Sequence, residues 1–146
     1  VFKTKRNPGL VDYLFGQVTL EEIIRVSKIN DLHYITSGTI PPNPAEMLES
    51  SAMKEFLREI KSRYELILVD SPPIIAVTDA EILSRMVDAT ILVVAAESTE
   101  LELMEKSVEL LRGENNSFIG TVLNNFSYKA GYGSYYKKYY YAHPSN

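Results

Sequence analysis

Leu66-Ile67-Leu68-Val69-Asp70-Ser71-Pro72-Pro73 is the stretch on which the fold class of this chain turns. Four consecutive apolar residues predict a strand buried on both faces, because a strand with one wet face would alternate. An aspartate closes the run. The two prolines that follow lack the N–H a ladder needs, so they stop the strand and fix the path of the chain beyond the carboxylate. This reading puts Asp70 at the carboxyl end of a parallel strand, the end where open α/β sheets receive ligands. A carboxylate there can hold Mg2+, usually through water, beside nucleotide phosphates. An aspartate capping the next turn explains an apolar run plus Asp equally well; the D-x-P-P ending adds weight to a Walker B motif.

The flanking segments read as helices and further strands. Upstream, Met53, Phe56, Leu57 and Ile60 recur at i, i+3, i+4, i+7 and predict an amphipathic helix over Ser51–Arg63. Downstream, Thr78 with Glu81 and Thr99 with Glu102 have capping-box spacing. They are expected to open helices carrying Ile82, Leu83 and Met86, and Leu101, Met104, Val108 and Leu111, the second stopping at Gly113. Thr90–Ala95 and Phe118–Leu123 are apolar, β-branched strand candidates. Strands without polar alternation, separated by amphipathic helices, give an α/β class with a parallel sheet and helices on both faces. Nearer the start, Asn7–Leu10 is a turn leading into a short helix through Phe15. Thr19 with Glu22 caps a helix expected to run to about Lys28, and Leu32–Thr36 is a short strand. Ser37–Leu48 reads as a Gly/Pro loop, stiff and extended around Pro42-Asn43-Pro44.

Asn124 ends the Phe118–Leu123 strand as Asp70 ends the earlier run. Its amide offers both donor and acceptor, which suits an adenine edge, and a loop-forming asparagine fits the position as well. Asp79 fits a contact with the site and a helix N-terminus beside Thr78 equally well, and Asp88 is explained by a solvated turn.

The composition bounds the remaining possibilities. At 146 residues, 45% hydrophobic and 23% charged, the chain is about one domain long and can support a core. It has no cysteine, so disulfides and thiolate metal sites are excluded, and His33 and His143 lie too far apart in sequence to suggest a ligand pair. No apolar run approaches the ~20 residues of a membrane span, and no signal peptide opens the chain, so the cytoplasm is the expected compartment.

The charge is unevenly placed. From Phe126 onward there are three lysines, Lys129, Lys137 and Lys138, and no acid; the preceding residues hold 12 basic and 19 acidic side chains. A +3 tail on a −7 body suits docking on an acidic surface or on phosphate groups, whereas three lysines make a poor nucleic-acid site. The tail also holds seven of the ten tyrosines, Tyr128, Tyr132, Tyr135, Tyr136, Tyr139, Tyr140 and Tyr141. Seven phenol hydroxyls in fourteen residues would each need a partner in a core, so residues 126–146 are expected to form a flexible tail after a body of residues 1–125. Many equivalent hydroxyls are what a multi-site phosphate acceptor needs; a sticky tail without modification is the plainer alternative.

Taken in order, NPGLVDYLFG, TSGTIPPNPAEMLES, YELILVDSPPIIAVTDAEIL, VDATILVVA, IGTVLNN and the tyrosine cluster resemble the cytoplasmic domain of bacterial tyrosine kinases (BY-kinases) of capsular and exopolysaccharide synthesis. The resemblance covers nearly the whole chain and implies a P-loop NTPase-like α/β fold. It also implies phosphate transfer from ATP, with Mg2+, to tail tyrosines of neighbouring subunits. By the same resemblance Asp70 is the catalytic-site magnesium residue, Asn124 the base-side residue, and the seven tail tyrosines the autophosphorylation cluster. The implied partners are other copies, joined by tail-to-neighbour docking, and a membrane-anchored polysaccharide chain-length or adaptor protein, which would hold the chain at the inner face of the membrane.

One departure from the family pattern bears on activity. No G-x-x-x-x-G-K-[ST] occurs, nor the D-x-D that the family places after it. The backbone cradle, the phosphate lysine, the Mg2+ hydroxyl and the base for the phenol proton are therefore not in this sequence. The expectation is a kinase-derived domain that is inactive alone: a truncated form, a natural remnant, or a piece completed by an upstream segment or a partner chain. The alternative is a non-catalytic interaction module whose tail is a substrate or docking segment.

Overall fold

Between Leu83 and Ser84 the chain divides into two compact units in the computed structural model, which describes residues 4–113 and 117–127. The first unit is built on α4 (Ser51–Arg63), whose bounds match the expected helix. Its buried residues are Met53, Phe56, Leu57 and Ile60, the predicted apolar stripe. Ser50 accepts the Met53 amide at 3.2 Å and caps α4, while its hydroxyl donates to the Met47 carbonyl at 2.6 Å and closes the preceding helix. That helix, α3 (Pro44–Glu49), corrects the expected Ser37–Leu48 loop. Proline at the first helical position costs no hydrogen bond, so Pro44 starts a helix instead of preventing one.

α1 (Leu10–Leu14) packs on both α4 and α2 (Leu20–Ile23). The core beneath them holds Val11, Leu20, Ile23 and Leu48 with the α4 stripe; Ile23 is 0% and Met53 1% exposed. Glu22 accepts both the amide and the hydroxyl of Thr19, at 2.7 and 2.9 Å, as the spacing predicts. α2 is nevertheless short and does not reach Lys28. β1 (Arg25–Val26) takes over and pairs antiparallel with β2 (His33–Tyr34), so the strand expected over Leu32–Thr36 is confined to two residues. Arg25 explains the early stop: its guanidinium is drawn to Thr4 and the carbonyls of Lys5 and Pro8, away from a helical path.

Leu66–Val69 corrects the expectation from which the sequence reading began. The stretch pairs with no strand among the described residues, and Leu66 and Leu68 are 76% and 84% exposed. An apolar, β-branched run has the capacity to form a strand, but a strand also needs a free edge to pair with. α5 (Asp79–Ser84) follows and crosses the division between the units.

The second unit holds β3 (Thr90–Ala95), α6 (Leu101–Leu111) and β4 (Phe118–Asn124). β3 and β4 pair in parallel, with Ile91 beside Gly120 and Ala95 beside Asn124, and α6 supplies the crossover that parallel pairing requires. α6 packs on β3, and Val94, Ser107 and Leu111 are buried. The opposite side of β3 carries Ile91 and Val93, both more than half exposed. The expected capping box at Thr99 is replaced by a different contact. Glu100 is the N-cap of α6, the Thr99 hydroxyl accepts the Ala95 amide at 2.9 Å, and Glu102 pairs with Lys106 at 2.8 Å. The α/β class with parallel strands stands as read from the sequence.

Candidate functional site

Asp70 follows the extended Leu66–Val69 stretch and is solvent exposed. Beside it, Ser71 donates to the Pro72 carbonyl at 3.3 Å. Asn124 sits where the sequence places it, at the carboxyl end of a parallel strand, with its side chain exposed. Its backbone carbonyl accepts the Ala96 amide at 2.8 Å, and its side-chain oxygen accepts the Asn125 amide at 2.9 Å. That second bond turns the side-chain oxygen toward the chain's own backbone. Asn125 takes the left-handed conformation, φ 57°, that turns the chain sharply after the strand. Asp70 belongs to the first unit and Asn124 to the second. The seven tail tyrosines, Tyr128 to Tyr141, lie outside the described residues.

The most fully bonded polar cluster of the first unit went unnoticed in the sequence. Asp12, buried in the first turn of α1, accepts the Gly9 amide at 2.7 Å and the Thr39 hydroxyl at 2.5 Å. These bonds, with Thr39 the larger influence, hold its carboxyl below the ordinary carboxylate range against the opposing pull of burial. Leu10 and Val11 donate their amides to the Thr36 and Ser37 carbonyls at 2.8 and 3.0 Å, Asn7 donates to the Thr39 hydroxyl at 3.0 Å, and Arg6 to Ser37 at 3.0 Å. Thr36 returns a bond to the Arg6 carbonyl at 2.6 Å. The two segments meet backbone to backbone. A Cβ on Gly9 would stand 2.3 Å from the Gly38 nitrogen, and one on Gly38, where φ is +81°, would stand 2.6 Å from Asp12 Oδ2. The N-P-G-L and T-S-G-T segments therefore form one latch, with Asp12 at its centre. The G-x-x-D spacing at Gly9 was the available signal, since an acid three residues past a helix start reaches back to its amides.

A second polar chain runs along α4. The Tyr13 hydroxyl donates to Glu59 at 3.1 Å, Glu59 pairs with Arg63 at 2.6 Å, and Arg63 pairs with Glu21 at 2.9 Å. Burial, then the Glu59 contact, pushes the Tyr13 phenol above its ordinary value, while Arg63 holds Glu21 below its own. His33 Nδ1 lies 2.8 Å from the Tyr64 hydroxyl, the rings edge to face at 5.6 Å. Both groups are structural ties between neighbouring elements.

The residues present do not form a complete Mg·ATP site. Magnesium needs about six oxygen ligands in near-octahedral geometry, and Asp70 provides a single carboxylate on an exposed stretch. Among the described residues no three His, Asp or Glu side chains group closely enough to hold a metal ion, and no helix is long and apolar enough to cross a membrane.

No family model matches the chain. It is 36% identical over 136 residues to the tyrosine-protein kinase YwqD of Bacillus subtilis, an alignment covering 92% of this chain and 57% of YwqD. Among solved structures it resembles the chimerical protein CapA2B2, with a TM-score of 0.83 and 31% identity over 87% of this chain and 56% of that one. It also resembles the kinase domain of Escherichia coli tyrosine kinase ETK, with a TM-score of 0.79 and 30% identity over 87% and 50%. The chain thus spans about half the length of these proteins. Similarity in sequence and in fold agree: the homologues of this chain are bacterial tyrosine-protein kinases, and it matches part of their kinase domain.

Proposed function

We propose that this chain is part of an ATP-dependent protein-tyrosine kinase that autophosphorylates its C-terminal tyrosine cluster and regulates capsule or exopolysaccharide synthesis and export. The observation that carries the reading is the coincidence of kinase homology along 92% of the chain with seven tyrosines in the fourteen residues from Tyr128 to Tyr141. Asp70 contributes one carboxylate toward Mg2+, and the Asn124 amide reads the base edge of ATP. The remaining ligands come from polypeptide beyond these 146 residues, either in the same protein or in a partner chain, so these residues alone are inactive. Tyr128, Tyr132, Tyr135, Tyr136, Tyr139, Tyr140 and Tyr141 are the acceptors. A phenol of pKa ~10 must give up its proton as the phosphate attaches, and the completed site has to supply the carboxylate that takes it.

Each added phosphate brings about −1.5 to −2 charges, so two events cancel or reverse the +3 of the tail. Copies associate while the tail is cationic, docking on the −7 body of a neighbour, and separate when it is phosphorylated. A membrane-anchored adaptor holds the assembly at the inner face of the membrane; the CapA2B2 chimera is consistent with such a second component.

The test is mass spectrometry of the full chain after incubation with Mg·ATP and an intact bacterial tyrosine kinase. Phosphate on several tail tyrosines is expected in that mixture and none on the chain with Mg·ATP alone. An unmodified tail beside a kinase that modifies itself would defeat the reading. The missing phosphate-loop motif supports a second reading, a non-catalytic module whose tail serves for docking, and that outcome would favour it.

A further inference from the structure

The latch described above has a protruding consequence. Just beyond it the chain projects Ile40-Pro41-Pro42-Asn43 outward, with Ile40 71% exposed and Pro42 exposed. An isoleucine this open is ordinary on a mobile loop. Here the loop is held at both ends. On one side Thr39 is bonded to Asp12 and Asn7; on the other, Asn43 donates to Glu46 at 3.0 Å and its carbonyl accepts the Met47 amide at 3.3 Å. Two prolines fix φ within it and remove two amide donors, so the segment cannot be extended by strand pairing there. It presents ring and aliphatic surface already ordered, and binding to it forfeits little conformational freedom.

Proline-rich segments of this kind are recognised by aromatic side chains, which stack on the flat faces of the pyrrolidine rings. We infer that the Ile40–Asn43 loop is a docking surface for the tyrosine-rich tail of a second copy of this chain. The tail offers seven phenol rings and three lysines with no acid. The loop leads directly into α3, which carries the exposed acids Glu46 and Glu49. Rings therefore match the prolines and isoleucine, and ammonium groups match the adjacent carboxylates. The inference rests on the reading that one copy presents its tail to another, and it names where the tail rests between modification events. Phosphorylation would weaken the contact by setting phosphates against Glu46 and Glu49.

The experiment replaces Tyr136 in the full chain with a benzophenone amino acid, mixes light and 15N-labelled copies, irradiates, and maps cross-links by mass spectrometry. Cross-links between copies are expected on residues 39–44, and Ile40→Asp should lower their yield at least about five-fold with a nearly unchanged melting temperature, since Ile40 is largely exposed. Cross-links confined to other surfaces, cross-links only within one copy, or a yield indifferent to Ile40→Asp would overturn the inference. The readout involves no ATP. Tail phosphorylation without docking on this loop sinks the inference alone, and docking here by a tail that no kinase modifies sinks the functional reading instead.

Discussion

Leu66–Val69 and Thr90–Ala95 have nearly the same composition, and only the second is a strand. Thr90–Ala95 has β4 lying parallel beside it and α6 packed on it, and its Val94 is buried. Leu66–Val69 has no pairing strand among the described residues and exposes its leucines. An apolar, β-branched run states a capacity to be buried and paired. Whether that capacity is used depends on an edge and a cover supplied by other parts of the polypeptide, and neither is written in the run itself.

Amide hydrogen exchange gives the largest expected contrast. The ladder amides within β3 should exchange at least about a hundred-fold more slowly than those of Leu66–Val69, because unpaired amides have no structure to open. Equal rates in the two segments would erase the distinction.

Truncations give the next contrast. Phe56→Ala removes a ring buried in the α4 stripe and tilted against Tyr13 at a centroid distance of 5.7 Å. It should cost about 3–5 kcal/mol in urea unfolding. Leu68→Ala, at 84% exposure, should stay within about 0.5 kcal/mol. A comparable loss from both would mean that the Leu66–Val69 stretch is covered in solution.

The extent to which the molecule could be read from its sequence follows the same division. α4 and β3 match their expected bounds because a 3.6-residue stripe and a β-branched run each recur within one element. α3 escaped because proline at a first helical position looks like proline in a loop. α2 ended early because Arg25 answers to carbonyls some twenty residues earlier in the chain. Asn124 was legible as the residue ending a strand. The latch was not, since it joins residues about thirty positions apart and two of its members are glycines, whose contribution is the absence of a side chain. Asp70 was read from the apolar run before it as a residue ending a buried strand, and that run pairs with no strand among the described residues.

Acid offers the smallest and most local test. Asp12, Glu21 and Glu22 have folded-state pKa values lowered by their hydrogen bonds. Such groups stabilise the fold above the ordinary carboxylate range, and the contribution is lost as pH falls through their depressed values. Titration from neutral pH downward should therefore leave the amide signals of Gly9 and Leu10 in place through the ordinary carboxylate range and move them only below it. Asp12→Asn should remove much of that late movement. Movement of the same signals within the ordinary range would show that the Asp12 carboxyl is not held low.

The bare contact between Gly9 and Gly38 brings the two ends of a long excursion to one fixed point. What happens around the far tip, where Ile29 and Asp31 turn in solvent, has little leverage on that point. Peptide tags or fluorophores inserted at the tip should accordingly be tolerated, giving a handle on the protein that leaves its proline-bearing face undisturbed.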